Sequence, residues 1–283
     1  MHATAIIDEK GNLTVSGITD PVPWWSFTKT VLAAAALRLV EDGLLDLDKP
    51  LHGERFNLRQ LLRHEAGLPD YGSMPGYHSD VADGKSPWPI KQLLSMLDVD
   101  RLRFAPGEGW AYSNIGYLRV AELIERTSCL TLQPALKKLI FEPSRLMTAR
   151  VATASSDLGN VQMGGVKNYH PGWVFHGLVV GTVADAATLL GALITGDLLR
   201  PDTFAEMLDG RPLPEHRDVH PDPAYGLGLM SWAANPLDHP LGHIGEGPGS
   251  RIAVLAQGRK VAAVWTGLPS DLDAEAHAIS LLS

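Results

Sequence analysis

Ser26 and Lys29, three residues apart, are the first side chains in this 283-residue sequence whose types and spacing suit chemistry. The run Val31–Val40 holds four alanines and no Gly or Pro, which predicts a helix over residues 30–42 that ends at Gly43. Ser26 then lies at or just before the first turn, on the same face as Lys29. A hydroxyl beside an amine at the positive end of a helix dipole can become an activated nucleophile. The alternative is an N-cap serine beside a solvated lysine.

Two later motifs carry polar groups that can assist such a serine. Tyr112 and Asn114 form a Tyr-x-Asn motif in a turn that precedes an amphipathic helix. His243 and Gly245 form a His-x-Gly motif on a late strand-like run. Serine hydroxyls are poor nucleophiles until a base takes their proton, so a lysine and a phenol nearby fit nucleophilic catalysis.

The elements that must position these motifs differ along the chain. Strand-like runs occur at both ends, and helical patterns fill the middle. Residues 70–89 read as a loop and residues 150–180 as irregular. The economical architecture is an α/β (α+β) fold, in which one antiparallel sheet from both termini is flanked by helices and carries an inserted, mainly helical region.

This architecture divides the chain into two domains. We assign residues 1–50 and 225–283 to the sheet domain and residues 51–224 to the mainly helical domain. An active site is expected at their junction.

Composition and charge limit the partners. The net charge is -8 with no basic run, which is a poor match for nucleic acid or an anionic membrane. Cys129 is the single cysteine, so neither an internal disulfide nor a thiolate metal cluster is expected. The N-terminus lacks a signal-peptide pattern, and no apolar run approaches the ~18–20 residues of a membrane span. We therefore expect a cytoplasmic protein that acts on a small molecule; its oligomeric state is left open.

The three motifs resemble, in type and in order, the motif set of the serine β-lactamase and penicillin-binding-protein superfamily: Ser-x-x-Lys, then Tyr-x-Asn, then His-x-Gly. The sequence is most similar to the branch with class C β-lactamases, family VIII carboxylesterases and D-aminopeptidases. Residues 61–71, 104–108, 177–185 and 225–228 resemble further family segments. The resemblance implies a β-lactamase/transpeptidase-like fold and a serine hydrolase that forms an acyl-enzyme on Ser26, with no cofactor and no metal.

The resemblance also implies roles for individual residues. The implied catalytic residues are Ser26, Lys29 and Tyr112. The residues implied in oxyanion and substrate binding are Asn114, His243, Gly245 and Glu246. The backbone N–H groups of Ser26 and Glu246 are expected to form the oxyanion hole. Burial would lower the pKa of Lys29, and Tyr112 can become phenolate or relay a proton, so either is the candidate base.

One departure from the family pattern bears on the substrate. Family members that act on lactams or D,D-peptides usually carry Lys-Thr-Gly where this chain has His243-Ile244-Gly245, and the lysine and threonine help to bind a carboxylate. Their replacement favours a neutral ester or amide, and nothing in the sequence places Arg251 in the site as a compensating cation. Esterase activity ranks first. The alternatives are a β-lactamase, a D-amino-acid amidase or D,D-peptidase, and a penicillin-binding sensor that acylates without turnover.

Aromatic and polar residues near the motifs are further candidates for the cleft. Five tryptophans are candidate walls, with core packing as the alternative for each: Trp24, Trp25, Trp88, Trp110 and Trp173. Five polar or aromatic residues are candidate substrate contacts, with a structural role as the alternative: Asp70, Tyr71, Tyr169, His170 and His176.

Overall fold

The computed structural model describes residues 1–217, 220–237 and 239–283. Within these ranges the strands form one sheet of eight strands and one of three. The strands are β1 (His2–Ile7), β2 (Leu13–Gly17), β3 (Val22–Pro23), β4 (Arg150–Ala152), β5 (Leu178–Gly181), β6 (Arg211–Pro212), β7 (Pro223–Tyr225), β8 (Met230–Trp232), β9 (Leu241–Gly247), β10 (Ser250–Gln257) and β11 (Lys260–Gly267).

Most of the regular secondary structure described between the terminal strands is helical. They are α1 (Thr28–Glu41), α2 (Leu58–Leu62), α3 (Pro75–Ala82), α4 (Ile90–Leu97), α5 (Asn114–Ser128), α6 (Leu132–Leu136), α7 (Val183–Thr195), α8 (Pro201–Leu208) and α9 (Ala274–Leu282). None of these helices, over the described ranges, combines the length and apolar character needed to cross a membrane.

The eight-stranded sheet joins the two ends of the chain, as the sequence predicts. Its order is β2-β1-β11-β10-β9-β8-β7-β6, and β1 pairs antiparallel with β11 from His2 opposite Thr266 to Ile7 opposite Val261. Alternate residues of β10 face opposite sides: Val254 packs in the main core and Leu255 in a smaller cluster under α9. The fold class is confirmed. The division into domains at residues 50 and 225 stays a prediction.

Two segments contain more regular structure than the sequence indicates. Residues 70–89 include α3, which begins at Pro75, a residue that suits the first helical position. Residues 150–180 include β4 and most of β5, which form the small sheet with β3. Here β3 comes directly before Trp24, so this small sheet fixes the chain just ahead of Ser26.

Candidate active site

Ser26 lies in a tight 3₁₀ turn, Trp25–Phe27, that runs directly into α1. Trp25 has a φ of 43°, in the left-handed region that non-glycine residues rarely adopt. Its indole Nε1 donates to Ser250 Oγ on β10 at 3.0 Å, while Trp24 N–H donates to Val179 O on β5 at 2.9 Å. Bonds to both sheets therefore hold the turn that presents the serine.

Lys29 is fully buried one turn further along α1. Its Nζ lies 3.2 Å from Ser26 Oγ and donates to Asn114 Oδ1 at 2.7 Å. Burial lowers the pKa of Lys29 to about 7, against the opposing attraction of the Asp70 carboxylate. A large fraction of Lys29 is therefore neutral near pH 7, with a lone pair available to a neighbouring hydroxyl.

Tyr112 is the phenol of the site and is partly buried. Lys29 Nζ lies 4.8 Å from the centre of its ring, and the Tyr112 and Ser26 side chains are hydrogen-bonded. Burial raises the pKa of Tyr112 above its ordinary value, although the bond with Ser26 opposes this effect. Tyr112 is thus protonated at neutral pH, where it can donate a proton.

The segment that carries Tyr112 and Asn114 is held by a loop after α2. Ser113 caps α5; its Oγ donates to Pro69 O at 2.8 Å, and its N–H donates to His64 Nδ1 at 3.1 Å. Asn114 N–H donates to Asp70 Oδ1 at 2.7 Å. Asp70, a candidate substrate contact from sequence, therefore bonds the backbone that orients the Asn114 amide.

Two glycines of strand β9, Gly245 and Gly247, allow the strand to pack closely against the serine turn. A Cβ added at Gly245 would come within 2.6 Å of Trp24 O and 2.8 Å of Ser26 N, and one at Gly247 within 2.5 Å of the Trp25 ring. This approach brings the backbone of Glu246 to the same cleft as Ser26. The oxyanion hole of their two N–H groups stays a prediction.

His243 occupies a different place from the one implied by the motif. It has no exposed surface and is absent from the cleft lining; its Nε2 hydrogen-bonds with the Tyr225 hydroxyl at 3.0 Å. Burial lowers its pKa to about 3, so it is neutral. In this conformation His243 does not reach a substrate.

Ile244 lies on the opposite face of β9 from Gly245, which faces the serine turn, because neighbouring strand residues point to opposite sides. It packs on the cluster under α9. The absence of a threonine hydroxyl at position 244 is therefore weaker evidence about the substrate than the family motif suggests.

Ser26 and Asn114 open into a cleft of about 500 Å³. Its walls are mainly apolar and aromatic: Trp25, Tyr71, Tyr77, Val81, Tyr169, Val174 and Pro248. Among the described residues, no lysine or arginine lines this cleft, and its acidic side chain is Glu246. Arg251 pairs with Glu246, Nε to Oε2 at 2.8 Å, and also with Asp273.

The aromatic candidates divide between cleft and packing. Of the five tryptophans, only Trp25 lines the cleft; Trp24 is buried in the core. Trp88 and Trp173 meet edge to face with ring centres 5.2 Å apart, and both also contact the ring of Tyr77. These two tryptophans therefore support a wall residue rather than form the wall.

Three further polar residues can now be placed. Tyr169 and His176 line the cleft, and His176 Nε2 lies 3.4 Å from Lys29 Nζ, a contact that nothing in the sequence indicates. His170 instead accepts a bond from Gly172 N–H at 3.0 Å. No group of three or more His, Cys, Asp or Glu side chains in the described part of the chain is arranged to hold a metal ion.

Known proteins resemble this chain in sequence and in fold. A curated relative, penicillin-binding protein 4* of Bacillus subtilis (strain 168), is 33% identical over 135 residues, which are 44% of this chain and 29% of that protein. The chain thus matches less than a third of that relative's length.

Solved structures with a similar fold cover nearly the whole chain. The D-stereospecific amidohydrolase from Streptomyces sp. has a TM-score of 0.79 and 22% identity, covering 99% of this chain and 92% of that one. The D-amino acid amidase from Ochrobactrum anthropi SV3 has a TM-score of 0.79 and 22% identity, covering 99% and 93%. At 22% identity, this structural similarity establishes the fold alone. The family model described as Beta-lactamase matches residues 19–282, so the chain belongs to the Beta-lactamase family.

Proposed function

We propose that this protein is a serine hydrolase that acylates Ser26 and uses Lys29 as general base, acting on small neutral esters or amides. The observation that carries the proposal is the buried Lys29 amine, 3.2 Å from Ser26 Oγ, whose pKa burial lowers to about 7. A base with a pKa near the working pH is both unprotonated and basic enough to take a proton.

Acylation would proceed by a balanced proton transfer. Neutral Lys29 takes the Ser26 proton as Oγ bonds to the substrate carbonyl carbon, which gives a tetrahedral oxyanion. Collapse breaks the bond to the leaving group, which receives a proton from the Tyr112 hydroxyl. Lys29 ammonium then reprotonates Tyr112. The raised pKa of Tyr112 supports donor chemistry for the phenol and base chemistry for the lysine.

Hydrolysis of the acyl-enzyme would use the same groups in reverse. Water gives a proton to the regenerated Lys29–Tyr112 pair and attacks the ester carbonyl, and Ser26 leaves with a proton. The close approach of Gly245 to Ser26 supports an oxyanion hole in which the N–H groups of Ser26 and Glu246 donate to the carbonyl oxygen.

The cleft chemistry favours an uncharged substrate. Aromatic and aliphatic walls suit an apolar acyl or alcohol group, and among the described lining residues no cation is available for a carboxylate. Esters rank first, since their leaving groups need the least help from an acid. Amides are the second candidate because two of the structural neighbours are a D-stereospecific amidohydrolase and a D-amino acid amidase.

The test compares turnover with covalent labelling. Purified protein is incubated with a chromogenic short-chain ester, a chromogenic D-amino acid amide and a chromogenic cephalosporin, and the intact protein is weighed after each reaction. Ser26→Ala is the test variant. Ser16→Ala, on the exposed strand β2, is the matched control.

We expect steady ester turnover that Ser26→Ala abolishes and Ser16→Ala retains. Turnover of the amide or the cephalosporin, but not of the ester, would instead identify an amidase, a peptidase or a β-lactamase. One equivalent of product with a lasting mass adduct would identify a sensor that acylates without turnover. Unchanged turnover in Ser26→Ala would refute the proposed nucleophile.

A further inference from the structure

The contact between His176 and Lys29 has no part in the mechanism above. His176 Nε2 lies 3.4 Å from Lys29 Nζ, and both side chains are buried. Lys29 Nζ thus has three polar neighbours within hydrogen-bond distance, one on each of three separate segments: Ser26, Asn114 and His176.

The backbone after His176 fixes the position of its ring. Gly177 has a φ of 93°, and a Cβ there would come within 2.7 Å of Leu132 Cδ2. Two residues later, Val179 N–H donates to Thr28 Oγ1 at 3.1 Å, next to Lys29 on α1. A glycine turn and a bond to the helix therefore set the imidazole against the amine.

A count of hydrogens assigns a direction to each of these bonds. A neutral amine has two N–H donors and one lone pair. The Asn114 carbonyl oxygen is an acceptor, and the Ser26 hydroxyl is the group whose proton must be removed. If His176 Nε2 accepts the second N–H, the lone pair of Lys29 has one remaining direction, toward Ser26.

We propose that His176 is a positioning residue whose unprotonated Nε2 accepts an N–H from Lys29 and so aims the amine lone pair at Ser26. The inference rests on the proposed function, because it assumes that Lys29 is the base. The opposite tautomer would donate Nε2–H to the amine and consume the lone pair that Ser26 needs. The Nδ1–H tautomer is thus the one compatible with catalysis.

The surroundings of the ring favour this role over a charged one. Burial and the nearby Lys29 charge hold the pKa of His176 well below its ordinary value, so the ring is neutral. Its Nδ1 has no partner among the described side chains and backbone, which leaves Lys29 as the ring's hydrogen-bond partner there. Burial and the Lys29 charge also lower the pKa of His64 and of His243, but these two rings hydrogen-bond to Ser113 and Tyr225.

The same arrangement serves both protonation states of the base. After Lys29 takes the serine proton, the ammonium has three N–H donors. Two of them still donate to Asn114 and His176. The third carries the proton taken from Ser26 and is the one that Lys29 later gives to Tyr112. The proton is therefore transferred without reorganising the bonds around Lys29, the condition under which preorganised groups act best.

The experiment compares two replacements of similar size. His176→Leu fills the space without an acceptor, and His176→Gln offers Oε1 at nearly the reach of Nε2. The readout is the rate of Ser26 acylation by an activated ester, followed by intact mass, with thermal melting to confirm folding. His52→Leu, at an exposed site, is the control.

We expect His176→Leu to slow acylation on the order of 10²-fold, as misplacement of a catalytic group does, and His176→Gln to recover most of that loss. Equal rates in His176→Leu and wild type would overturn the inference, as would an equal loss in both variants.

Nitrogen NMR of the wild-type imidazole gives a test that does not depend on a variant folding. At neutral pH the expected spectrum has an unprotonated Nε2 and a protonated Nδ1, and the reverse would overturn the inference. Failure of the proposed function is distinct from either result, because it would appear as wild-type protein that the activated ester does not acylate at Ser26.

Discussion

Gly245 lies against the backbone of Ser26, with the position of a Cβ at residue 245 only 2.8 Å from Ser26 N. Strand β9 and the serine turn thus meet backbone to backbone. Two N–H groups can converge on one carbonyl oxygen only when the chains that carry them approach this closely. The glycine at position 245 is therefore required by the distance between two chain segments.

Gly245→Ala should separate β9 from the serine turn, because the new methyl group would meet two backbone atoms that cannot rotate away. We expect acylation of Ser26 to slow by about 10²–10³-fold, the effect of losing one oxyanion donor. Stopped-flow measurement of the acylation rate checks this. Gly191→Ala on α7 is the control, since its Cβ would meet only side-chain atoms, Ile7 Cδ1 at 3.4 Å and Val261 Cγ2 at 3.8 Å. Equal rates in both variants would contradict the close fit.

The pH dependence of acylation should follow Lys29. The base is active when neutral, so the rate rises with pH and reaches half its maximum near the pKa of about 7 that burial gives Lys29. The Asp70 carboxylate raises that pKa, so Asp70→Asn should move the acid limb to lower pH while keeping Oδ1 for Asn114 N–H. A pH–rate profile checks the direction, with the exposed Asp83→Asn as control. A limb that moves to higher pH would refute the role of Asp70.

The buried Lys29 should also destabilise the fold in a pH-dependent way. Its pKa is about 7 in the folded protein against an ordinary 10.5, so between these values the unfolded chain holds the extra proton. The destabilisation is absent above the ordinary pKa and complete below the folded one. Relative to Lys29→Met, wild type should lose about 3 kcal/mol of unfolding free energy from about pH 9.5 to about pH 7.

Urea unfolding of both proteins across this range measures that difference. Lys29→Met also removes the bonds to Asn114 and Ser26, but that loss is present at every pH and cancels in the trend. A difference in unfolding free energy that stays constant with pH would show that Lys29 has an ordinary pKa in the folded protein.

Local patterns were enough to predict the framework of this protein. The alanine-rich run gives α1, confirmed as Thr28–Glu41, because helix propensity acts within a few residues. Period-two runs at the ends give the sheet, since alternate burial is a local signal as well. Three ordered motifs were enough to indicate the family that the comparisons confirm.

Contacts between distant segments were beyond the reach of those patterns. Asp70 and Asn114 are 44 residues apart, and His176 and Lys29 are 147 apart. Nothing local to His176 reveals that its ring meets an amine. The side of β9 that His243 faces likewise follows from packing against Tyr225, and a three-residue motif does not determine it.

Tyr112→Phe should show that the proton donor, Tyr112, and the general base, Lys29, are different residues. The phenol is protonated at neutral pH because burial raises its pKa, so its loss removes a proton donor but leaves Lys29 to titrate. We expect kcat to fall about 10²–10⁴-fold, the range for a general acid or base, with the acid limb still near pH 7. Full pH–rate profiles of both proteins make the comparison. Disappearance of the acid limb in Tyr112→Phe would assign the titrating base to the phenol.

Glu246 should control how the cleft responds to substrate charge. Its carboxylate lies at the cleft and pairs with Arg251. Glu246→Gln therefore removes a negative charge and leaves the positive charge of Arg251 less neutralised. For an ester that carries a carboxylate, kcat/KM should rise up to about 5-fold, because exposed ion pairs are worth about 0–1 kcal/mol. The gain should shrink in high salt, and a matched neutral ester should show no gain. Asp271→Asn, which makes the same charge change at an exposed site, controls for net charge. An equal gain for both esters would show that Glu246 acts on the cleft by shape rather than by charge.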